Sequence, residues 1–353
     1  MSQISFNGIG IKAISACVPP RIVKTAEQIG FFTEEQLAGF ISTTGIEERR
    51  VTEEGVTASD LCKQAAEKLF SELGGKVSRE DISCLLFVSQ TPDFRMPNTA
   101  CIMQDKLGLR KEIFTLDINQ ACSGFVWGLI TAYTLCNSGF DNILMLIGDT
   151  PSKFLSAKDT STSLMFGDAG TAILVNRDDA YGKSYFSFNT DGSYRDVVYI
   201  PKGGYRDMSS VDGFAYQKDE EGNEKNKEQI HMDGLEVFST SINVMTKDIR
   251  TLLEFAGMTV DDIDTVVLHQ ANRFMNKKIS KKVGVDPAKE IDSIHKFGNT
   301  SCTSIPLNMA FNKGNFGESD RLLFEAIGAS FTWGSAIVNL SNLINCGVED
   351  YKG

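Results

Sequence analysis

Ser78-Arg-Glu-Asp-Ile-Ser-Cys-Leu-Leu-Phe-Val-Ser-Gln90 and Thr259-Val-Asp-Asp-Ile-Asp-Thr-Val-Val-Leu-His-Gln-Ala271 follow one pattern: an acidic turn, an isoleucine and then an apolar run. Short apolar runs that leave a polar turn read as buried strands. A second pair agrees, because Lys106-Leu-Gly-Leu109 matches Lys282-Val-Gly-Val285. Two blocks repeated in the same order point to a duplicated unit. With helix-like segments between the strands, the chain reads as an α/β protein of two halves, 1–175 and 176–353.

The repeat frames the stretch Asp117-Ile-Asn-Gln-Ala-Cys122-Ser-Gly-Phe-Val-Trp-Gly128. An apolar run from Ile113 to Ile118 enters a small-residue turn, and a helix-like segment, Phe125 to Leu135, leaves it. A cysteine at a helix start faces unpaired N–H groups and the positive end of the helix dipole, which favour the nucleophilic thiolate. The plain alternative is a buried cysteine in a tight turn. Cys122 stands fifteen residues after Leu107, and Asn299 sixteen after Val283, so the two take nearly equivalent places in the duplicated halves. If the halves pack about a pseudo-two-fold axis, the two helix starts meet at the centre. His269, at the end of the run Asp264-Thr-Val-Val-Leu-His269, arrives there on a neighbouring strand. Taken alone, His269 also fits a satisfied core histidine and Asn299 a helix cap.

Composition narrows the class. The formal net charge is −11, which argues against general nucleic-acid binding. No apolar run approaches the roughly 20 residues that span a bilayer, and Met1-Ser-Gln-Ile-Ser-Phe-Asn7 is not a signal peptide. The 8 cysteines have neither metal-site nor disulfide-framework spacing, so no metal is expected and the chain reads as cytoplasmic.

Seven segments carry a family resemblance: Thr44-Gly-Ile-Glu-Glu-Arg49, Asp117-Ile-Asn-Gln-Ala-Cys-Ser-Gly124, Phe166-Gly-Asp-Ala-Gly170, Met232-Asp-Gly-Leu-Glu-Val-Phe238, His269-Gln-Ala-Asn272, Phe297-Gly-Asn-Thr-Ser301 and Thr332-Trp-Gly-Ser335. In this order they resemble the thiolase-like condensing enzymes, most of all ketoacyl-ACP synthase III. The resemblance implies a five-layered αβαβα fold, a Cys122–His269–Asn299 triad and a homodimer. It also implies a two-stage reaction without a cofactor. Cys122 takes an acyl group from a thioester on coenzyme A or acyl carrier protein. His269 and Asn299 then stabilise the enolate formed when malonyl-ACP loses carbon dioxide, and the enolate attacks the acyl-cysteine. A separate oxyanion site would use the backbone N–H of Cys122 with one from Gly328-Ala329-Ser330.

Departures from the family bear on the substrate. Where coenzyme A users often carry a tryptophan, this chain has Gly39 beside Phe40, and two nucleotide-gripping arginines appear as Thr43 and Thr160. Met96 stands where the family often sends a phenylalanine across the dimer into the acyl pocket, so a wider pocket is expected. After His269, Arg273, Lys277 and Lys281 recur at helical spacing with Lys278 beside them. On an acidic chain this face reads either as solvated charge or as a docking site for acidic acyl carrier protein or its pantetheine phosphate. The segment 201–233 is polar around Lys218 to Lys227 and reads as a mobile surface excursion. Its Tyr205, Met208, Phe214 and Tyr216 fit either a pocket cap or a surface anchor. Two other functions share the frame: acyl transfer from Cys122 to a hydroxyl or amine without carbon–carbon bond formation, and a non-catalytic partner subunit, which the retained triad disfavours. Ser89-Gln-Thr-Pro-Asp93 offers no counterpart to the glutamate base of sterol-type synthases.

Overall fold

A computed structural model describes residues 2–30, 32–220 and 222–353, apart from the side chain of Ser330. Eleven strands build the two large sheets: β1 (Ser2–Asn7), β2 (Ile9–Val18), β3 (Cys84–Val88), β4 (Phe114–Ile118), β5 (Ile143–Asp149), β6 (Ala169–Arg177), β7 (Lys183–Thr190), β8 (Thr265–Leu268), β9 (Arg321–Gly328), β10 (Thr332–Asn339) and β11 (Ile344–Asp350). The main helices are α1 (Glu34–Thr44), α2 (Ala58–Leu73), α3 (Thr99–Lys106), α4 (Gly124–Asn137), α5 (Gly234–Ala256), α6 (Arg273–Val283) and α7 (Ser304–Phe311).

The duplication is visible in the strand order. One sheet runs β11-β2-β6-β5-β3-β4 and the other β1-β7-β10-β9-β8. The stretch β2-β6-β5-β3 corresponds to β7-β10-β9-β8, with two antiparallel pairings followed by one parallel pairing in each. Where the first sheet continues into β4, the second has a single bridge between Val266 and Glu290. The terminal strands are exchanged: β1 joins the sheet of the second half and β11 that of the first. Each end of the chain thereby ties one half to the other.

The repeated acidic turns do the same job twice. Asp81 accepts from the Ser78 N–H and hydroxyl at 2.8 and 2.7 Å, and Asp262 from Thr259 at 2.8 and 2.9 Å. Both are capping boxes on one-turn helices, and they aim the chain into β3 and β8. Those strands are buried along their whole length, as their unbroken apolar runs require.

Five layers result. Helices α2 and α3 cover one face of the first sheet, and α5 and α6 the outer face of the second. Helices α4 and α7 lie between the sheets and contact both. Their starts meet closely: a Cβ on Gly124 would stand 2.9 Å from Cys302 Cβ and 2.8 Å from Val88 Cγ1, so only glycine fits. Behind them, Phe125 and Phe324 meet edge to face at 5.0 Å, one from α4 and one from β9.

Segment 201–233 has structure of its own and is tied to the first half. Gln217–Lys218 pairs with Glu224–Lys225 as a short antiparallel ladder. Backbone bonds from Glu224 to Lys158 and from Ile230 to Phe154 lash it to the loop after β5. Its charges pair instead of repelling: Lys225 with the buried Asp159, Lys158 with Glu224, and Lys202 with Asp207 and Asp212. A charged sequence reads as mobile when its partners, here Asp159 and Lys158, lie far away along the chain.

Candidate active site

Each helix start between the sheets begins with a strained residue. Ala121 has φ +46° and Ser301 φ +54°, positions that side chains other than glycine rarely adopt. One-turn helices Ala121–Ser123 and Ser301–Thr303 then lead into α4 and α7. Matching the two strained residues pairs Cys122 with Cys302 and Asn119 with Asn299. The sequence count had placed Asn299 four residues too late in the repeat, because the loops between the glycine turns and the helix starts differ in length by that much.

Cys122, His269 and Asn299 line one cavity of about 140 Å³. Around them stand Met165, Phe166, Val198, Ile230, Met232, Val237, Phe238, Met275, Ile327 and Phe331, and among the described residues no charged side chain reaches the wall. Such a cavity suits an uncharged acyl chain and its arm. Gly328 and Ala329 also line it; a Cβ on Gly328 would come within 2.7 Å of the Gln120 carbonyl, so the β9 end presses against the nucleophile's turn. Ser330 follows in the one-turn helix Ala329–Phe331, and its side chain lies outside the described residues.

Asn299 is held on three sides. Its N–H donates to Met165 O at 3.0 Å, its carbonyl accepts from Gly167, and its Oδ1 accepts from Ser301 N–H at 2.9 Å. The amide oxygen is thus occupied, and the NH2 is left to donate. Gly298 before it has φ +64°, and a Cβ there would lie 2.7 Å from Met165 O. Arg49, from the Thr44–Arg49 motif, donates to Ser163 O and Phe166 O and so secures the strip against which Asn299 rests.

His269 follows β8 and is buried. Its N–H donates to Glu325 O at 2.9 Å, and its carbonyl accepts from Asn276 Nδ2 at 3.0 Å. Nδ1 lies 2.6 Å from Ser304 Oγ, which also accepts from Gln270 N–H at 3.3 Å. The serine hydrogen is then free to point at Nδ1, which leaves Nε2 as the N–H turned toward the cavity. Burial pushes the His269 pKa down to about 4.

Glu325 illustrates the same dry interior on the far side of β9. Ser335 Oγ touches both Asp248 and Glu325 but owns one hydrogen. Asp248 also accepts from Ser187 and Asn189 at 2.6 and 2.8 Å. One hydrogen cannot serve both carboxylates, so the second contact needs a carboxylic acid hydrogen, which Glu325 supplies to Ser335. Burial pushes its pKa well up, in agreement.

The basic residues on α6 separate into two groups. Arg273 is half-buried, pairs with Asp292 at 3.3 Å and packs over Gly45, where a Cβ would stand 2.7 Å from its Nε. With Lys277 and Lys281 it lines a groove shared with Glu290 and Asp292. Lys278, one residue and about 100° further round the helix, points elsewhere. Its Nζ sits 4.4 Å from the Phe274 ring centre and 5.3 Å from that of Phe238. Those rings stack 5.9 Å apart, and Phe238 belongs to the cavity wall. Helical spacing grouped Arg273, Lys277 and Lys281 as one stripe, but that stripe has acidic neighbours.

Met96 is 84 % exposed and does not line the cavity of its own chain. Tyr205, Met208, Phe214 and Tyr216 are exposed and also stay off the cavity wall. Tyr216 instead accepts from Gln229 Nε2 at 3.3 Å. The roof comes from Val198, Ile230 and Met232, where Val198–Tyr199 pairs with His231–Met232. Met232 was visible in a motif, but its place in the roof depends on a partner strand more than 30 residues away. At one position read as nucleotide-gripping, Thr160 is bonded to Asn223 Oδ1 at 2.7 Å, and at the tryptophan position Gly39 has nothing within 4 Å of a built Cβ. Among the described residues no cluster of three metal-ligating side chains occurs, and no helix is long and apolar enough to cross a membrane.

A doubled sheet that brings a cysteine, an imidazole and an amide to one dry cavity is the frame of the thiolase-fold condensing enzymes, which are acyltransferases. Known proteins place the chain more closely. Residues 116–192 match the family profile described as 3-oxoacyl-[acyl-carrier-protein (ACP)] synthase III, and 253–340 match its C-terminal profile. The β-ketoacyl-[acyl-carrier-protein] synthase III of Aliarcobacter butzleri is 33% identical over 334 residues, 92% of this chain and 96% of that protein. Its namesake from Clostridioides difficile is 35% identical over 303 residues, 85% and 89% of the two chains. The crystal structure of a 3-oxoacyl-(acyl-carrier protein) synthase from Burkholderia xenovorans LB400 superposes with a TM-score of 0.91 at 31% identity, covering 99% of each chain. The chain belongs to the β-ketoacyl-ACP synthase III family of condensing enzymes.

The dry histidine gives a pH prediction. Its folded pKa, about 4, lies below the ordinary 6.5. Stability from burying the neutral ring is therefore complete above pH 6.5 and falls as pH drops toward 4. Nitrogen-15 spectra of histidine-labelled protein, with three rings to assign, should show His269 as neutral Nε2–H at pH 6. An imidazolium at pH 6 would contradict the geometry.

Proposed function

We propose that the chain joins an acyl group to a malonyl unit on acyl carrier protein. Cys122 attacks the acyl thioester and carries the acyl group. Malonyl-ACP then enters, and its thioester carbonyl takes hydrogen bonds from His269 Nε2–H and the Asn299 amide. Two fixed neutral donors favour the charge that develops on that oxygen as carbon dioxide leaves. The enolate carbon attacks the acyl-cysteine carbonyl, whose oxygen is received by N–H groups of Cys122 and the Ala329–Ser330 turn, and β-ketoacyl-ACP leaves. The observation that carries this reading is the pair of orientations: Ser301 occupies Asn299 Oδ1 and Ser304 occupies His269 Nδ1, so both donors face the cavity.

His269→Ala and Asn299→Ala should each slow condensation by roughly 10²–10³ while leaving acylation of Cys122 largely intact. The readout is the mass of the carrier-bound product with and without malonyl-ACP. Variants that condense normally but fail to become acylated would reverse the roles. A product formed from a hydroxyl or amine acceptor without malonyl-ACP would favour simple acyl transfer. Light scattering on the same sample should return a dimer, in which the exposed Met96 and Phe94 reach a second copy and Met96 borders its acyl end.

For the carrier, we infer docking at the mouth beside Lys278, with Lys277 and Lys281 further along α6. Lys278 sits over Phe238 of the cavity wall and over the neighbouring Phe274, whereas Arg273 is committed to Asp292. Lys278→Glu should raise KM for carrier-bound substrate by up to about fivefold and weaken its salt dependence. A small pantetheine thioester should change much less. Equal effects on both substrates would place the defect inside the cavity.

A further inference from the structure

Acylation needs Cys122 as a thiolate, and its surroundings resist one. Burial pushes the thiol up to about 12, and the negative charge of the buried Asp149 adds to that rise. His269 gives no relief, because a neutral ring brings no positive charge to the sulfur. The neighbouring Cys302 is itself held as a thiol by burial. Hydrogen bonds to the sulfur therefore count for more here than they would in water.

One neutral hydroxyl reaches it. Ser301 Oγ lies 3.6 Å from Cys122 Sγ, and the left-handed backbone of Ser301, φ +54°, holds it there. The Ser301 N–H is spent on Asn299 Oδ1, so the hydroxyl is what the residue offers the cysteine. On its other side Gln90 Nε2 donates to the same Oγ at 2.8 Å. A hydroxyl has one hydrogen and two lone pairs. With one lone pair taken by Gln90, the hydrogen is turned away from the amide and toward the sulfur, where it pulls the thiol back down. Asp149 does not compete for it. Its bonds come from Gln90 N–H at 2.8 Å, Ser89 at 3.0 Å, Thr91 at 3.2 Å and the Cys302 thiol at 3.1 Å, and none joins it to Ser301. Those bonds instead fix the turn after β3 that carries Gln90 to the cavity wall.

We propose that Ser301 donates its hydroxyl hydrogen to the thiolate of Cys122, and that Gln90 is the positioning residue that sets the direction of that bond. This deepens the reading of Cys122 as nucleophile and rests on it. Serine keeps its hydrogen throughout. In acylation the sulfur electron pair forms the bond to the thioester carbonyl carbon and the carbon–sulfur bond to the carrier breaks. The proton lost by Cys122 is balanced by the one that the departing carrier thiolate takes up. The same hydroxyl meets the sulfur again when condensation releases it as a thiolate. A neutral donor stabilises the anion without placing a further charge in the dry site.

The test is the rate of Cys122 alkylation by iodoacetamide at pH 8, below the midpoint of its profile, where rate follows the thiolate fraction. The readout is mass mapping of the Cys122 peptide. Ser301→Ala should slow alkylation about tenfold, since one unit of pKa is tenfold in thiolate. Ser301→Gly, which accepts the left-handed turn without strain, should slow it equally. Gln90→Met keeps the length of the side chain but offers no donor. It should slow alkylation about threefold, because the freed hydroxyl spreads over three staggered positions. Added to Ser301→Ala, it should change nothing further. Parent rates in both Ser301 variants overturn the proposal. A parent rate in Gln90→Met, or a Gln90→Met effect that persists in full beside Ser301→Ala, overturns the positioning role. A parent enzyme that carries no acyl mass on Cys122 would instead refute the nucleophile reading itself.

Discussion

Two strained helix starts pressed against each other are the constraint on which the site depends. Ala121 and Ser301 hold left-handed backbone conformations that cost of order 1–3 kcal/mol each. The cost is sustained because α4 and α7 are locked between two sheets, with Gly124 touching Cys302 and Gly328 touching the Cys122 turn. From this junction Cys122 reaches the cavity on one side while Ser301 N–H fixes Asn299 on the other. Loosening either turn would move nucleophile and amide donor together.

Low polarity is the second organising condition. Among the described residues no charged side chain lines the cavity, and burial drives ionisable groups toward their neutral forms: His269 down, Glu325 and the Cys122 thiol up. In such surroundings hydrogen bonds from fixed neutral donors act on a developing negative charge with little competition from water. Lys278 sits outside that wall, over Phe238 and Phe274.

Much of this was legible in the sequence. The duplicated acidic turns gave away two equivalent sheets, because a capping box and a buried strand both have local signatures. The cysteine turn was legible for the same reason. What escaped were contacts made across long chain separations. Ser304 lies 35 residues from His269 and Ser301 179 from Cys122, and serines that serve as hydrogen-bond partners leave no pattern of their own. On α6, helical spacing reports which residues share a face but not what that face meets, so the pairing of Arg273 with Asp292 was not visible. The ties of segment 201–233 were not legible either, because two of its charge partners, Lys158 and Asp159, come from the loop after β5.

Intact mass followed by peptide mapping, after incubation with a panel of acyl-CoA and acyl-ACP donors, tests the central claim most directly. A single acyl adduct on Cys122, lost on adding malonyl-ACP and absent in Cys122→Ala, is the predicted result. An adduct on Cys302 or another cysteine, or labelling that persists in Cys122→Ala, would contradict the account.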